Sequence, residues 1–320
     1  MWSDRKVALL IFCLVLAVVA AMSFWTVNPV YLAHSPEQAS NASQEQAAQD
    51  QSQSGDSLSE LQGQIDEDLV KQTLGDEQGA ALLATAQTNE DAAWVAANID
   101  NAAYAQDGDA VQAKILKLAA KEPEACTFVR SFAEKYPADE QDLSATPVAS
   151  SGEESAGAAA PKLYQWDPRW GSTVYSSTAF AVTGCCPTAM AMVYQGLTGD
   201  TSKTPYDMGK LASAGGYETA YDGTDIGFMF AGAQQLGLSC TEINLSYGAV
   251  QETLAGGGLI IANVGPGDFT ANGHYLVIAG MKDGSLIIND PYSAVNSAQA
   301  WDMEQVLKQT KALYAFTTAS

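Results

Sequence analysis

The chain has 320 residues, 47% of them hydrophobic, and carries 15 basic against 37 acidic side chains, a net charge of −22. That length holds one large domain or two small ones, with an ordinary globular composition. A polyanion of this strength repels phosphate backbones and anionic headgroups alike, so nucleic acid is excluded as a partner.

Arg5 and Lys6 precede an uncharged apolar run over residues 7–27 that contains Cys13 and ends near Phe24 and Trp25. At about 1.5 Å per residue such a run spans a bilayer core of about 30 Å. The basic residues hold the short N-terminal side in the cytoplasm, so the rest of the chain is expected outside. Residues 1–29 are therefore read as a retained single-pass anchor in the cell membrane. A cleaved signal peptide, with small residues near Ala20 and Ala21, is the alternative and would give a secreted protein.

Residues 30–56 read as a flexible acidic linker, since the stretch from His34 onward is Ser, Gln, Ala and acid with no aliphatic periodicity. The acidity is uneven: residues 35–160 hold 6 basic and 23 acidic side chains, residues 161–320 hold 7 and 13. The excess reads as a solvated spacer. Residues 57–137 read as a small helical segment. Ser57 and Glu60 have capping-box spacing, and Leu58, Leu61, Ile65 and Leu69 follow at helical intervals. Trp94, Val95, Asn98 and Ile99 suggest a second helix, Val111, Ile115, Leu116 and Leu118 a third, and Pro123 the first turn of a fourth that ends before Pro137. Residues 138–160 read as a second linker.

Residues 161–320 change texture to glycines, aromatics and β-branched runs. "LIIANV", "HYLVIAG" and "SLIIND" read as strands and "CPTAMAMVYQGLTG" as a helix. Cys185 and Cys186 stand where that helix begins, and a helix N-terminus together with an imidazolium lowers a thiol pKa and makes the thiolate available as a nucleophile. Outside the acidic linker the exported chain holds one histidine, His274. "KDG" joins the two strands that follow it. A three-residue loop pairs Met281 with Ser285 and makes Asp290 a diagonal neighbour of His274. A two-residue loop puts Asp290 on the other face and offers Asn289 instead. Either side chain could orient the imidazole. An acyl-transfer site also needs oxyanion donors, and Gln165 in "YQWDPRWG" is a candidate. Metal spacing is missing, "AGGGLIIANVGPGD" lacks the basic residue of a phosphate loop, and no cofactor is expected.

The order "YQWDPRWG", "GCCPTAMAMVYQGLTG", "GTDIGFMFAGAQQLGL", "GHYLVIAG" and "INDP" resembles the papain-like cysteine peptidases typified by bacteriocin-leader processing domains, in the stand-alone branch without an ABC transporter. The resemblance implies an α+β papain-like fold, with a Cys-bearing helix packed on an antiparallel sheet. It also implies Cys185 as nucleophile, His274 as base, Asp290 as orienting acid and Gln165 as oxyanion donor. Cys186 stands where that family usually has Gly. It could crowd the oxyanion amide, form a vicinal disulfide with Cys185, or pair with Cys240 and leave Cys185 free. The expected function is a membrane-tethered, extracytoplasmic, monomeric cysteine peptidase acting on a peptide or protein substrate. The alternatives are a non-catalytic peptide-binding module on the same fold, or a cell-wall peptide amidase or acyl transferase.

Overall fold

In the computed structural model, residues 57–105, 108–148, 159–220 and 223–319 are described. The apolar run at 7–27 and the acidic linker at 30–56 lie outside them. Among the described residues no helix is long and apolar enough to cross a membrane.

Residues 57–63 are helical, but the helix expected to run on to Leu69 breaks after Gly63. Asp66 caps a new helix, α1 (Glu67–Leu74), by accepting from the Leu69 amide at 3.0 Å. The short polar side chain competes with helix continuation, as Asp does at an N-cap. Gly75, at φ 84°, turns the chain into α2 (Asp76–Thr85), an alanine-rich helix whose weak pattern left no sequence signal. α3 (Glu90–Ala97) is capped by Asn89, α4 (Asp109–Lys121) follows, and α5 (Cys126–Lys135) is entered through a 3-10 turn at Pro123–Ala125. Cys126, Phe128, Val129 and Phe132 form the buried face of α5.

The second half opens with a small hairpin, β1 (Val174–Tyr175) and β2 (Thr178–Ala179), then the short α6 (Phe180–Thr183) and the long α7 (Cys185–Thr198). Gly199, left-handed at φ 71°, ends α7. Then come α8 (Pro205–Ala214), α9 (Gly227–Gln235), β3 (Leu238–Ile243), α10 (Tyr247–Ala255), β4 (Leu259–Val264), β5 (His274–Lys282), β6 (Ser285–Asn289), α11 (Ala294–Ser297), β7 (Ala300–Trp301), α12 (Met303–Gln309) and β8 (Thr310–Thr318). β3 to β8 form one antiparallel sheet in the order β3-β8-β4-β5-β6-β7.

Both faces of that sheet are covered, which is why its strands read as apolar runs. Leu259, Ile261, Val277 and Phe316 pack with Ala189, Met190 and Val193 of α7. The alternate residues Ile260, Ala262, Leu276, Ile278 and Ile288 pack with Val250 of α10 and Val306 of α12. α7 is apolar almost all round because it lies between the sheet and further helices.

The helical half does not stand apart. Phe128 and Phe132 share one core cluster with Tyr164, Trp166, Ala179, Ala181 and Ala294 of the second half. Residues 138–148, read as linker from composition, are held on the second half by the Ala138–Thr173 bridge, an Asp142 amide bond to the Arg169 carbonyl at 2.7 Å, and a Val148 amide bond to Asp167 Oδ2 at 3.2 Å. Main-chain and carboxylate bonds hold this segment, and such bonds leave no apolar period to read.

Gly171 marks how closely the halves meet. A Cβ there would lie 2.6 Å from Phe128 Cε2 and 3.0 Å from the Trp166 backbone. Gly171→Ala is expected to lower stability by about 1–3 kcal/mol, the usual cost of overpacking. A denaturant midpoint equal to that of the parent would contradict this close packing.

Candidate active site

The loop between β5 and β6 has two residues. Lys282 pairs with Ser285, and Asp283 and Gly284 take φ 53° and 85°, a primed hairpin turn. Of the two loop lengths left open by the sequence the chain takes the shorter, and by register alone Asp290 would face away from His274. A bulge reverses that: Ile278 pairs with Ile288 and Gly280 with Ile287, leaving Ala279 as the extra residue. With Val277 opposite Asn289, the next step sets Asp290 against Leu276, diagonal to His274.

The result is a direct contact, His274 Nε2 to Asp290 Oδ1 at 2.6 Å, with both residues buried. Asp290 Oδ1 also accepts from the Tyr292 amide at 2.8 Å, and Oδ2 accepts from Asn296 Nδ2 at 2.8 Å. The Asp290 amide donates to Ser297 Oγ at 2.8 Å. Asn289 is not the orienting group: its Nδ2 donates to the carbonyls of Ala160 and Pro161 at 2.9 and 3.0 Å and pins the chain's entry into this half.

With Nε2 engaged, Nδ1 of His274 is left for the hydrogen bond to Cys185, the first residue of α7. Burial works against an ionised Cys185. The bond and charge of His274, helped by the backbone amides of Tyr275 and Cys186, outweigh it and hold the thiol below its ordinary value. His274 moves the opposite way: burial opposes its charge, but Asp290 and Cys185 raise it well above the usual imidazole range. Asp290 is held down despite burial, first by the charge of His274 and then by its hydrogen bonds. The arrangement favours a thiolate–imidazolium pair backed by a carboxylate.

Cys186 behaves differently. It lies in the first turn of α7 and is buried in the core, and burial together with the charge of Cys185 raises its thiol well above the ordinary value. Its neighbour is Thr224, whose hydroxyl meets Tyr175 Oη at 2.6 Å. All four described cysteines, Cys126, Cys185, Cys186 and Cys240, are free. Neither the vicinal disulfide nor the Cys186–Cys240 pairing is present. Cys186 turns toward Thr224, whereas Cys240 lies on β3 opposite Phe316.

Gln165 is 1% exposed and ties the segment before Cys185 to the segment after Asp290. Its amide donates to the Pro291 carbonyl, next to Asp290, at 2.8 Å, and its Nε2 donates to the Ala181 carbonyl, in the turn before Cys185, at 2.7 Å. Gln165 Oε1 is buried without a partner. Tyr164 and Trp166, its neighbours in sequence, stack on each other at 4.8 Å, and Trp166 Nε1 donates to the Tyr292 carbonyl at 2.7 Å. One Nε2 hydrogen remains uncommitted.

Asn296 and Ser297 had no signal in the sequence, since a polar residue in a four-residue helix reads as a turn. Among the described residues no group of three or more His, Cys, Asp or Glu could hold a metal ion.

A half-buried thiol at a helix start, with an imidazole and a buried carboxylate on an antiparallel sheet, is the papain-like arrangement. Residues 160–317 match the family model described as "Peptidase_C39 like family". Among solved structures, the peptidase domain of Streptococcus ComA, described as a bi-functional ABC transporter involved in a quorum sensing pathway, is 20% identical with a TM-score of 0.34, covering 43% of this chain and 93% of that one. A C39-like peptidase from Bacillus anthracis is 15% identical with a TM-score of 0.32, covering 43% of this chain and 90% of that one. No curated protein matches the chain.

Proposed function

We propose that this protein is a membrane-tethered, extracytoplasmic cysteine peptidase that cleaves peptide bonds through Cys185, His274, Asp290 and Gln165. The observation that carries this reading is the line of contacts from the Cys185 thiol through His274 to Asp290, at 2.6 Å in its second link. Cys185 sulfur attacks the amide carbonyl, and the tetrahedral oxyanion is stabilised by the Cys186 backbone N–H and the free Nε2 hydrogen of Gln165. His274 gives its proton to the departing amine, leaving an acyl-thioester. His274 then takes a proton from water, the hydroxide attacks the thioester, and the Cys185 thiolate is restored with release of the acid. Asp290 keeps Nδ1 aimed at sulfur and stabilises the imidazolium. The tether and outward orientation rest on Arg5, Lys6 and the apolar run over residues 7–27.

One experiment tests both parts. A membrane-impermeant thiol probe is applied to intact cells and, in parallel, to lysate, and labelled sites are mapped by peptide. Cys185 should label in intact cells, and Cys186→Ala should leave that labelling in place, because Cys186 is a buried, raised thiol. Labelling only after lysis would reverse the orientation. No labelling of Cys185 in folded, reduced protein would end the peptidase reading in favour of a binding module.

A further inference from the structure

Every group that orients Asp290 from the far side lies between residues 292 and 297: the Tyr292 amide, the Asn296 side chain and the Ser297 hydroxyl. That stretch contains α11, a single helical turn of four residues. A turn this short does not hold itself together. Its internal bonds run from the Asn296 amide to Ser293 Oγ at 3.0 Å, from the Ser297 amide and Oγ to the Ser293 carbonyl at 3.2 and 2.8 Å, and from the Ala298 amide to the Val295 carbonyl at 3.2 Å. Within the second half, Trp301 Nε1 donates to the Asn296 carbonyl at 2.9 Å and Trp166 Nε1 to the Tyr292 carbonyl at 2.7 Å, and three further bonds come from the other half of the chain. Glu122, the residue that ends α4, is 3% exposed and accepts from the Ser293 hydroxyl, from the Ala294 amide at 2.9 Å and from the Val295 amide at 3.2 Å.

We propose that Glu122 is a positioning residue for the peptidase site, holding the 293–297 turn so that Asn296 and Ser297 fix Asp290, and through Asp290 the ring of His274. The helical half is then part of the catalytic scaffold and not a detachable prosegment. The shared core supports this: Tyr164 and Trp166 flank Gln165, Ala179 and Ala181 lead to Cys185, and Ala294 follows Asp290, and all five pack into the helical half's cluster. A buried carboxylate bonded by three donors is costly to form and specific once formed. Burial pushes the Glu122 carboxyl up to about 7, Asp290 adding to the rise and the three donors opposing it.

The kinetic consequence rests on the peptidase reading above, so the test carries a second readout that does not. The chain has only two histidines. The Nε2 proton of His274, short-bonded to Asp290, should give a downfield NMR resonance that His274→Ala removes. In full-length Glu122→Ala that resonance should shift or vanish, and kcat should fall about ten- to a hundredfold with KM little changed, as when a reacting group is displaced by about 1 Å. Glu122→Gln should restore both, because its oxygen can accept from the Ala294 and Val295 amides while its NH2 donates to Ser293 Oγ. Glu122→Ala combined with Asn296→Ala should lose less than the product of the two single losses, since both act on one turn. If Glu122→Ala does not fold, Ser293→Ala, which leaves the helical half untouched, should reproduce the loss. Folded Glu122→Ala, or in its place Ser293→Ala, with the parental resonance would overturn the proposal. An unreactive Cys185 in the parent with a resonance that depends on Glu122 would instead overturn the peptidase reading alone.

Discussion

Cys185→Ala and His274→Ala should each reduce peptide hydrolysis by several orders of magnitude, to the background left by binding and oxyanion contacts. Nucleophile and base act as one unit, so either loss removes nearly the whole effect, and the double variant should be no slower than the singles. Asp290→Asn should cost less than either. An amide oxygen in the Oδ1 place still accepts from the Tyr292 amide and can meet the ring, though it no longer stabilises the imidazolium, and its NH2 in the Oδ2 place cannot accept from Asn296 Nδ2. The measurement is the rate on the best substrate from a peptide-library digest of the full chain, with folding verified by the thermal transition. A Cys185→Ala protein that retains turnover while Cys186→Ala loses it would transfer the nucleophile's role to the neighbouring cysteine.

Gln165→Ala should raise the barrier by about 2.7–4 kcal/mol, the usual effect of losing one oxyanion donor. The position is unusual because Nε2 already donates one hydrogen to the Ala181 carbonyl at 2.7 Å, while Oε1 has no partner. The Ala181 bond fixes the amide against the turn that delivers Cys185, which aims the second hydrogen. Gln165→Glu distinguishes this from mere packing. It keeps the shape and sets an anion where the oxyanion forms, so it should be slower still than Gln165→Ala. Were Gln165→Glu as active as the parent, Gln165 would be a structural link between the Pro291 and Ala181 segments and nothing more.

Much of this arrangement is legible in the sequence, and the illegible parts share a physical cause. α7 announces itself through its apolar residues and Gly199, and β4, β5 and β6 through apolar runs of strand length. In the sequence a three-residue loop favours Asp290 as the partner of His274 and a two-residue loop favours Asn289, and only the family resemblance points to Asp290. The chain uses a two-residue loop and then inserts Ala279, and the two one-residue differences cancel. A bulge has no reliable one-sequence signal, so register was open between Asp290 and Asn289 until the pairing was seen. Glu122 is invisible because its role arises from contacts across as many as 173 positions of chain, and Asn296 and Ser297 because polar residues in a four-residue helix read as a turn. Cys186 is ambiguous in sequence for a related reason: whether a thiol crowds, cross-links or fills space depends on what faces it, here Thr224 in a buried core.

The most direct test of the account is the pH dependence of alkylation at Cys185, followed by peptide mapping in the parent and in His274→Ala. Only the thiolate reacts, so the rate reports ionisation. The Cys185 pKa is lowered and the His274 pKa raised, so an ion pair should exist from below the ordinary thiol pKa up to the pH at which His274 loses its proton. In the parent, the rate should therefore reach a plateau well below the range of a free cysteine, near 8.5, and peptide hydrolysis should decline at alkaline pH as His274 deprotonates. In His274→Ala the inflection should return to the ordinary range or above it, since burial then acts unopposed by the imidazolium. A parent Cys185 that titrates like a free thiol, unchanged by His274→Ala, would contradict the account.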